Sequence, residues 1–192
     1  MRPTYDELKR LWVYSYARGG FLEAEEWLNA MDKTDPKSPQ FRALFCAAVV
    51  AYARPFTPSQ ITRKERVVPL RNVPAPSELN DTHVLVLDLR DKVIGHKDAL
   101  PAEADEATPN LITIVQDATG FNLHTMQIKG MEPSISEKMK KLCAHFVKHC
   151  ESQVRPIMER IGPEIRMHPV GRYELCITEP PDDWIKPIRQ AR

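Results

Sequence analysis

The stretch from Ser134 to Ile161, SISEKMKKLCAHFVKHCESQVRPIMERI, decides the fold. Its apolar side chains recur every three or four residues, the spacing that places them on one face of an α-helix. These apolar positions are Met139, Leu142, Cys143, Phe146, Val147, Cys150, Val154, Ile157, Met158 and Ile161. Ser134 and Glu137 have the spacing of a capping box, and Pro156 is expected to kink the helix. The stretch therefore predicts a long amphipathic helix that needs other helices to cover its apolar face.

Four further segments supply such partners. Thr4 to Arg18 and Phe21 to Met31 have helical spacing on either side of Gly19-Gly20, which predicts either a bent helical hairpin or one kinked helix. Phe41 to Tyr52 is apolar on nearly every side and is expected to be the central buried helix. Asp81 to Gly95 predicts a helix that ends at a glycine, because it places four apolar side chains on one face: Leu85, Val86, Leu89 and Val93.

The remaining segments interrupt this helical plan. Two runs with strand-like composition flank a turn between Asp117 and Asn122, which predicts a β-hairpin at about residues 110–129. Arg54 to Ser77 contains five prolines and is expected to be a long irregular loop. We predict a mainly α fold, an up-and-down bundle of four to five helices with an inserted β-hairpin and a long proline-rich loop. The bundle would span residues 1–161, and residues 162–192 would form an extended tail, with a short strand at about 172–178, packed on it.

Composition excludes some classes of protein. The chain has 192 residues, with 27 basic against 26 acidic side chains, so no global field draws it to nucleic acid or to an anionic membrane. Its longest apolar run, Ala43 to Ala53, is shorter than the roughly 20 residues that cross a bilayer. Its four cysteines lie in apolar surroundings without C-x-x-C pairing, which predicts buried thiols. We expect a soluble cytoplasmic protein with no membrane contact.

One segment is locally basic. The proline-rich loop carries five basic residues against one acidic residue, Glu65. Arginine and lysine side chains at this density are the groups that contact nucleic acid phosphates. The predicted nucleic-acid-binding residues are Arg54, Arg63, Lys64, Arg66 and Arg71.

The end of the predicted helix from Asp81 to Gly95 carries an arginine and a histidine, Arg90 and His96. Residues six apart on a helix differ by about 240° of rotation, so the two side chains share a side only if the chain turns at Gly95. Arginine can hold a phosphate, and histidine can transfer a proton near neutral pH. The alternative is structural: Arg90 would pair with Asp91 or Asp98, and His96 would be a solvated residue beyond the helix end.

The segment resembles the R-x(4–6)-H motif of the HEPN superfamily, named for higher eukaryotes and prokaryotes nucleotide-binding. Here Asp91 directly follows Arg90, and His96 stands after five intervening residues. The resemblance covers roughly Thr4 to Ile161 and implies a homodimer in which the two motifs meet at the two-fold axis. In active members it implies a metal-independent ribonuclease, with Arg90, His96 and Asp91 as the catalytic residues.

The resemblance also implies partners. RNA is the expected ligand, and a neutralising antitoxin protein is an expected partner if the chain is a toxin. A non-catalytic scaffold, or a module that binds a nucleotide or another protein, is the alternative function. Near-neutral net charge favours that alternative, while the basic loop favours RNA.

No cofactor or metal is expected. His145 and His149 are four residues apart on the long helix, but they lie off its apolar face among lysines, where cationic neighbours disfavour a divalent ion. A solvated helix face accounts for both histidines. The sequence also lacks the phosphate-binding loop, the dinucleotide fingerprint and the serine hydrolase motif.

Overall fold

The computed structural model describes residues 2–62, 65–91, 112–117, 120–125, 133–171, 173–175, 177 and 184–188. Within these ranges the helices are α1 (Tyr5–Met31), α2 (Pro39–Ala53), α3 (Asn80–Asp88) and α4 (Pro133–Ile165). The strands are β1 (Ser59–Thr62), β2 (Glu65–Val67), β3 (Ile112–Asp117), β4 (Gly120–Thr125), β5 (Tyr173–Leu175) and β6 (Ile185–Pro187). The mainly α fold with an inserted β-hairpin is confirmed.

α1 is one continuous helix that runs through Gly19 and Gly20. It begins with a capping box, in which Thr4 N–H donates to Glu7 Oε2 at 2.8 Å and Glu7 N–H donates to Thr4 Oγ1 at 3.3 Å. A glycine inside a helix costs only about 1 kcal/mol relative to alanine, and burial of flanking side chains such as Phe21 offsets that cost. The glycine pair therefore does not end the helix.

α4 also extends beyond the segment from Ser134 to Ile161 that its apolar pattern predicted to be helical. It begins at Pro133, where the missing N–H of proline costs no helical hydrogen bond, and it continues through Pro156 and Pro163 to Ile165. One face is buried, and it carries Met139, Leu142, Cys143, Phe146, Cys150, Ile157 and Ile161. Tertiary packing of this face holds the helix together across the two prolines.

The chain forms two compact units. Unit 1 comprises Met1–Phe21, Pro55–Val73 and Ala144–Arg192, and unit 2 comprises Leu22–Arg54 and Pro74–Cys143. The predicted boundary at residue 161 falls inside α4.

Unit 1 has a core built from α1, α4 and the C-terminal segment. Its buried residues are Leu8, Leu11, Ile157, Ile161 and Trp184. Partly buried residues pack against them: Val154, Ile165, Leu175, Ile177 and Ile185. Unit 1 also contains a cluster of three aromatic rings, in which Phe146 is centred 5.1 Å from both Phe21 and Phe56.

Unit 2 is centred on α2. Ser38 caps this helix by accepting from Phe41 N–H at 3.0 Å, and Pro39 follows at the start of the first turn. Its buried residues are Phe41, Phe45, Ala48, Val49, Ala51, Tyr52 and Ala53. The burial of these side chains agrees with the prediction of a central buried helix from Phe41 to Tyr52.

The proline-rich segment contains short regular elements. A 3₁₀ turn, Arg54–Phe56, follows α2, and β1 pairs with β2 as an antiparallel ladder with an irregularity between Gln60 and Thr62. The buried side chain of Leu70 anchors the segment, and Leu70 N–H donates to the Pro55 carbonyl at 3.1 Å. The segment is therefore not irregular throughout, as its prolines predicted, but contains a 3₁₀ turn and a two-stranded ladder.

β3 and β4 form the inserted hairpin in the predicted position. Their antiparallel register runs from Ile112 opposite Thr125 to Asp117 opposite Gly120. Both strands extend further toward the turn than the sequence pattern predicted. Separately, β5 falls within the short strand predicted at about residues 172–178, and it pairs with β6.

Three of the four cysteines lie among the described residues, and all three are free thiols. Burial raises the pKa of Cys143 to about 12 and that of Cys150 to about 11, so neither is a thiolate at neutral pH. The prediction of buried thiols is confirmed for these two, while Cys46 is half-buried and Cys176 lies outside the described residues. None of the helices described is long and apolar enough to cross a membrane.

Substitution of Trp184 tests whether the C-terminal segment belongs to the core of unit 1. Trp184→Ala is expected to lower the free energy of unfolding by about 3–5 kcal/mol, because it removes a large side chain that is only 2% exposed. Ile188→Ala, at a position that is 51% exposed, should change it by less than about 0.5 kcal/mol. Urea denaturation measures both. Equal, small effects would contradict the docking of this segment.

Candidate functional site

The predicted catalytic arginine lies at the C-terminal end of α3. Residues 89–91 form a π-helical turn there. At its start, Leu89 N–H is shared between the carbonyls of Leu85 and Val86, four and three residues back. Such turns are rare and occur often at functional sites. Gly95 and His96 lie outside the described residues, so the predicted turn of the chain toward Arg90 stays a prediction.

Arg90 and Asp91 are brought together. Arg90 Nη1 donates to Asp91 Oδ1 at 2.5 Å, and the side chains are 36% and 60% exposed. An exposed pair of this kind stabilises the fold by at most about 1 kcal/mol. A guanidinium has five N–H donors, so Asp91 orients Arg90 without occupying the whole group.

Arg54, at the end of α2, has a carboxylate partner of its own. Its Nη1 donates to Glu23 Oε2 at 2.9 Å, and both side chains are more than one third exposed. Glu23 therefore compensates part of the positive charge that the sequence assigned to phosphate contact.

The other predicted nucleic-acid-binding residues belong to the loop after α2. Arg66 on β2 and Arg71 beyond it are both exposed, as phosphate contact requires. Neither has an ion-pair partner within the ranges that the structure describes. Arg63 and Lys64 lie outside the described residues.

A hydrogen bond between Tyr52 and His83, which sequence reasoning missed, joins α2 to α3. Tyr52 Oη lies 2.7 Å from His83 Nδ1, and the two rings meet edge to face at 5.9 Å. Tyr52 is fully buried, and His83 is half-buried. The sequence shows only an aromatic residue at the end of one helix and a histidine in another, and no spacing rule links positions 31 apart.

Burial sets the protonation of this pair. Burial raises the pKa of Tyr52 far above its usual range, and the nearby Cys143 side chain raises this pKa further. Burial lowers the pKa of His83. Both rings are therefore neutral near pH 7. His83 precedes Arg90 by seven residues, or about two helical turns, so the bond fixes the helix that carries Arg90.

The two histidines of α4 differ from each other. His145 is exposed, as predicted. His149 is half-buried, and its ring meets that of Tyr14 edge to face. The Nε2 atom of His149 is buried and has no hydrogen-bond partner among the described residues. Burial and the proximity of His145 lower the pKa of His149. Within the part of the chain that the structure describes, no three His, Cys, Asp or Glu side chains are grouped to hold a metal ion.

No family model, curated protein or solved structure matches this chain. What the site can do therefore follows from its residues. An oriented and partly exposed guanidinium can bind a phosphate, and a histidine that follows it by six positions can act on a nearby proton.

Removing the Tyr52 hydroxyl tests the link between α2 and α3. Tyr52→Phe is expected to lower the free energy of unfolding by about 1 kcal/mol, because it deletes one buried hydrogen bond and leaves the ring in place. Tyr14→Phe is the matched control, since no hydrogen bond is described for the Tyr14 hydroxyl, and it should be neutral within about 0.5 kcal/mol. Chemical denaturation at pH 7 measures the stability of both variants. Equal stability of the two would contradict the link between α2 and α3.

The pH dependence of stability tests the environment of His83. Its pKa is lower in the folded state than in the unfolded state, so the unfolded chain binds more protons, and stability is lost as pH falls below about 6.5. His83→Asn is expected to flatten this loss between about pH 7 and pH 5. Part of the dependence of stability on pH should remain in this variant, because the pKa of His149 is also lowered. An unchanged slope in His83→Asn would show that His83 is not the group responsible.

Proposed function

We propose that this chain is an HEPN-like protein that acts on RNA through a composite site at a homodimer interface. The observation that carries the proposal is the position of Arg90, whose guanidinium is oriented by Asp91 and partly exposed at the end of α3. His96 follows it at the spacing of the R-x(4–6)-H motif. A cation at an exposed helix end suits a phosphate that arrives from solvent.

The proposed reaction is metal-independent cleavage of RNA by its own 2′-hydroxyl. Such cleavage needs a base that removes the proton of the attacking oxygen and an acid that donates a proton to the leaving oxygen. It also needs positive charge next to the crowded phosphate between them. His96 supplies the proton transfer, Arg90 stabilises the phosphate, and Asp91 positions Arg90.

The proposed homodimer explains how one histidine per chain is sufficient. A single imidazole cannot act as base and acid in the same step, whereas a two-fold axis next to the motif supplies His96 and Arg90 twice around one cleft. An antitoxin protein that covers this cleft would neutralise the enzyme. We place the protein in the cytoplasm, where thiols such as Cys143 and Cys150 stay reduced.

A non-catalytic HEPN-like scaffold, or a module that binds a nucleotide or a partner protein, is the second candidate. The ion pair of Arg54 with Glu23 favours it, because this arginine already has a carboxylate partner. In this candidate His96 has no role in proton transfer. A cleavage assay separates the two candidates.

Incubation with single-stranded RNA in the presence of a chelator tests the cleavage. The wild-type protein is expected to cut the RNA, and His96→Ala should reduce the rate by about 10²–10⁴-fold, because it removes the proton-transfer group. Arg90→Ala should reduce it by about 10²–10³-fold through lost stabilisation of the phosphate. Gel electrophoresis of end-labelled RNA measures both rates.

His168→Ala is the matched control, since His168 is exposed and lies beyond the end of α4 in unit 1. It should keep the wild-type rate. Cleavage that is equal in the wild type and in His96→Ala, or absent from the wild type, would overturn the ribonuclease proposal and leave the scaffold.

Mixed dimers test the composite site. Co-expression of wild-type and His96→Ala chains with different affinity tags yields a dimer that holds one intact His96. If one site needs both histidines, its rate should fall almost to that of the His96→Ala dimer. Retention of about half of the wild-type rate would mean that each protomer holds a complete site.

A further inference from the structure

The outward face of α4 in unit 1 carries a row of polar side chains at helical spacing. His145, Lys148, Ser152 and Arg155 follow one another three or four residues apart, and all four are exposed. Each step advances about 4.5 or 6 Å along the helix axis. The spacing continues toward the N-terminus of α4 at Lys141 and Lys138, which are also exposed. We call the row from His145 to Arg155 the α4 stripe.

The positive charge of the α4 stripe is not compensated by the carboxylates near it. Lys148 and Arg155 have no ion-pair partner in the described ranges. The carboxylate of α4 that lies within this segment, Glu151, accepts instead from Arg18 Nε at 2.9 Å. Glu159, one helical turn beyond Arg155, is the exposed carboxylate that ends the row.

A groove of about 480 Å³ opens beside the C-terminal end of the α4 stripe. It is lined by Ser15 and Arg18 from α1 and by Glu151, Val154 and Arg155 from α4. Arg18 and Glu151 are each 43% exposed, so the pair between them contributes at most about 1 kcal/mol and can exchange partners at low cost. The groove therefore holds two guanidinium groups, those of Arg18 and Arg155, and one carboxylate, that of Glu151.

We propose that the α4 stripe, together with Arg18, binds the phosphate backbone of single-stranded RNA. The inference rests on the proposed function, because it assigns the surface that holds the substrate rather than the residues that cut it. Lys148 and Arg155 are seven residues apart, or about 10.5 Å along the helix axis, and a polynucleotide backbone carries one phosphate per nucleotide, so the two cations can contact separate phosphates. Arg155 and Arg18 present planar N–H donors that match a phosphate. The exposed imidazole of His145 offers a ring on which a base can stack.

Binding of a fluorescein-labelled 2′-O-methyl oligouridylate tests the proposal. This probe lacks the attacking hydroxyl, so binding is measured without cleavage. The double variant Lys148→Gln/Arg155→Gln should weaken binding and reduce the dependence of log K on log salt concentration by about 1.4, since each lost phosphate contact removes about 0.7. Glutamine keeps the helix propensity of α4, and circular dichroism checks that the fold is retained.

The matched control is Arg166→Gln/Lys186→Gln, which removes the same charge from two exposed positions elsewhere in unit 1. It should keep the wild-type affinity and salt slope. Equal effects of the two double variants would overturn the proposal that the α4 stripe binds RNA. They would leave the proposal that His96 takes part in cleavage untouched. Displacement of the probe by polyglutamate as readily as by unlabelled RNA would assign the stripe to an acidic protein partner instead. Absence of probe binding by the wild type would overturn RNA binding by the α4 stripe, and the cleavage assay with His96→Ala decides the ribonuclease proposal separately.

Discussion

Burial of the apolar face of α4 is the constraint on which the rest of the structure depends. Leu142, Phe146 and Cys150 are fully buried, and Phe146 stacks on Phe21. Because a helix repeats every 3.6 residues, fixing this face inward forces the positions between its members outward. Lys148 and Arg155 are exposed for this reason.

Much of the fold could be predicted because it depends on periodicity. The three-four spacing of α4 and the apolar run of α2 identified both helices, and the change of period identified the hairpin. Local signals were less reliable where burial opposed them: α1 continues through Gly19-Gly20 because its neighbouring side chains are buried. Helix ends were therefore harder to predict than helix existence.

The candidate site was only partly predictable for a different reason. Arg90 and Asp91 are neighbours in sequence, so their ion pair could be anticipated from local chemistry. The bond between Tyr52 and His83, and the pair of Arg18 with Glu151, join residues that only tertiary packing brings together. No spacing pattern in a single sequence contains that information.

The two sets of cations have different roles in this account. Arg90 lies at an exposed helix end and would act on the reacting phosphate, whereas Lys148 and Arg155 would contact other phosphates of the RNA. This division fits a chain whose net charge is only +1, because the positive charge that matters is concentrated locally.

Photocrosslinking to RNA that contains 4-thiouridine, followed by mass spectrometry of the attached peptides, locates the surface that contacts RNA. The proposed RNA contact predicts attachment within residues 90–96 and within the α4 stripe, with loss of the second group of crosslinks as salt rises. Attachment confined to other segments, or none above the level of an unrelated protein of similar charge, would contradict it.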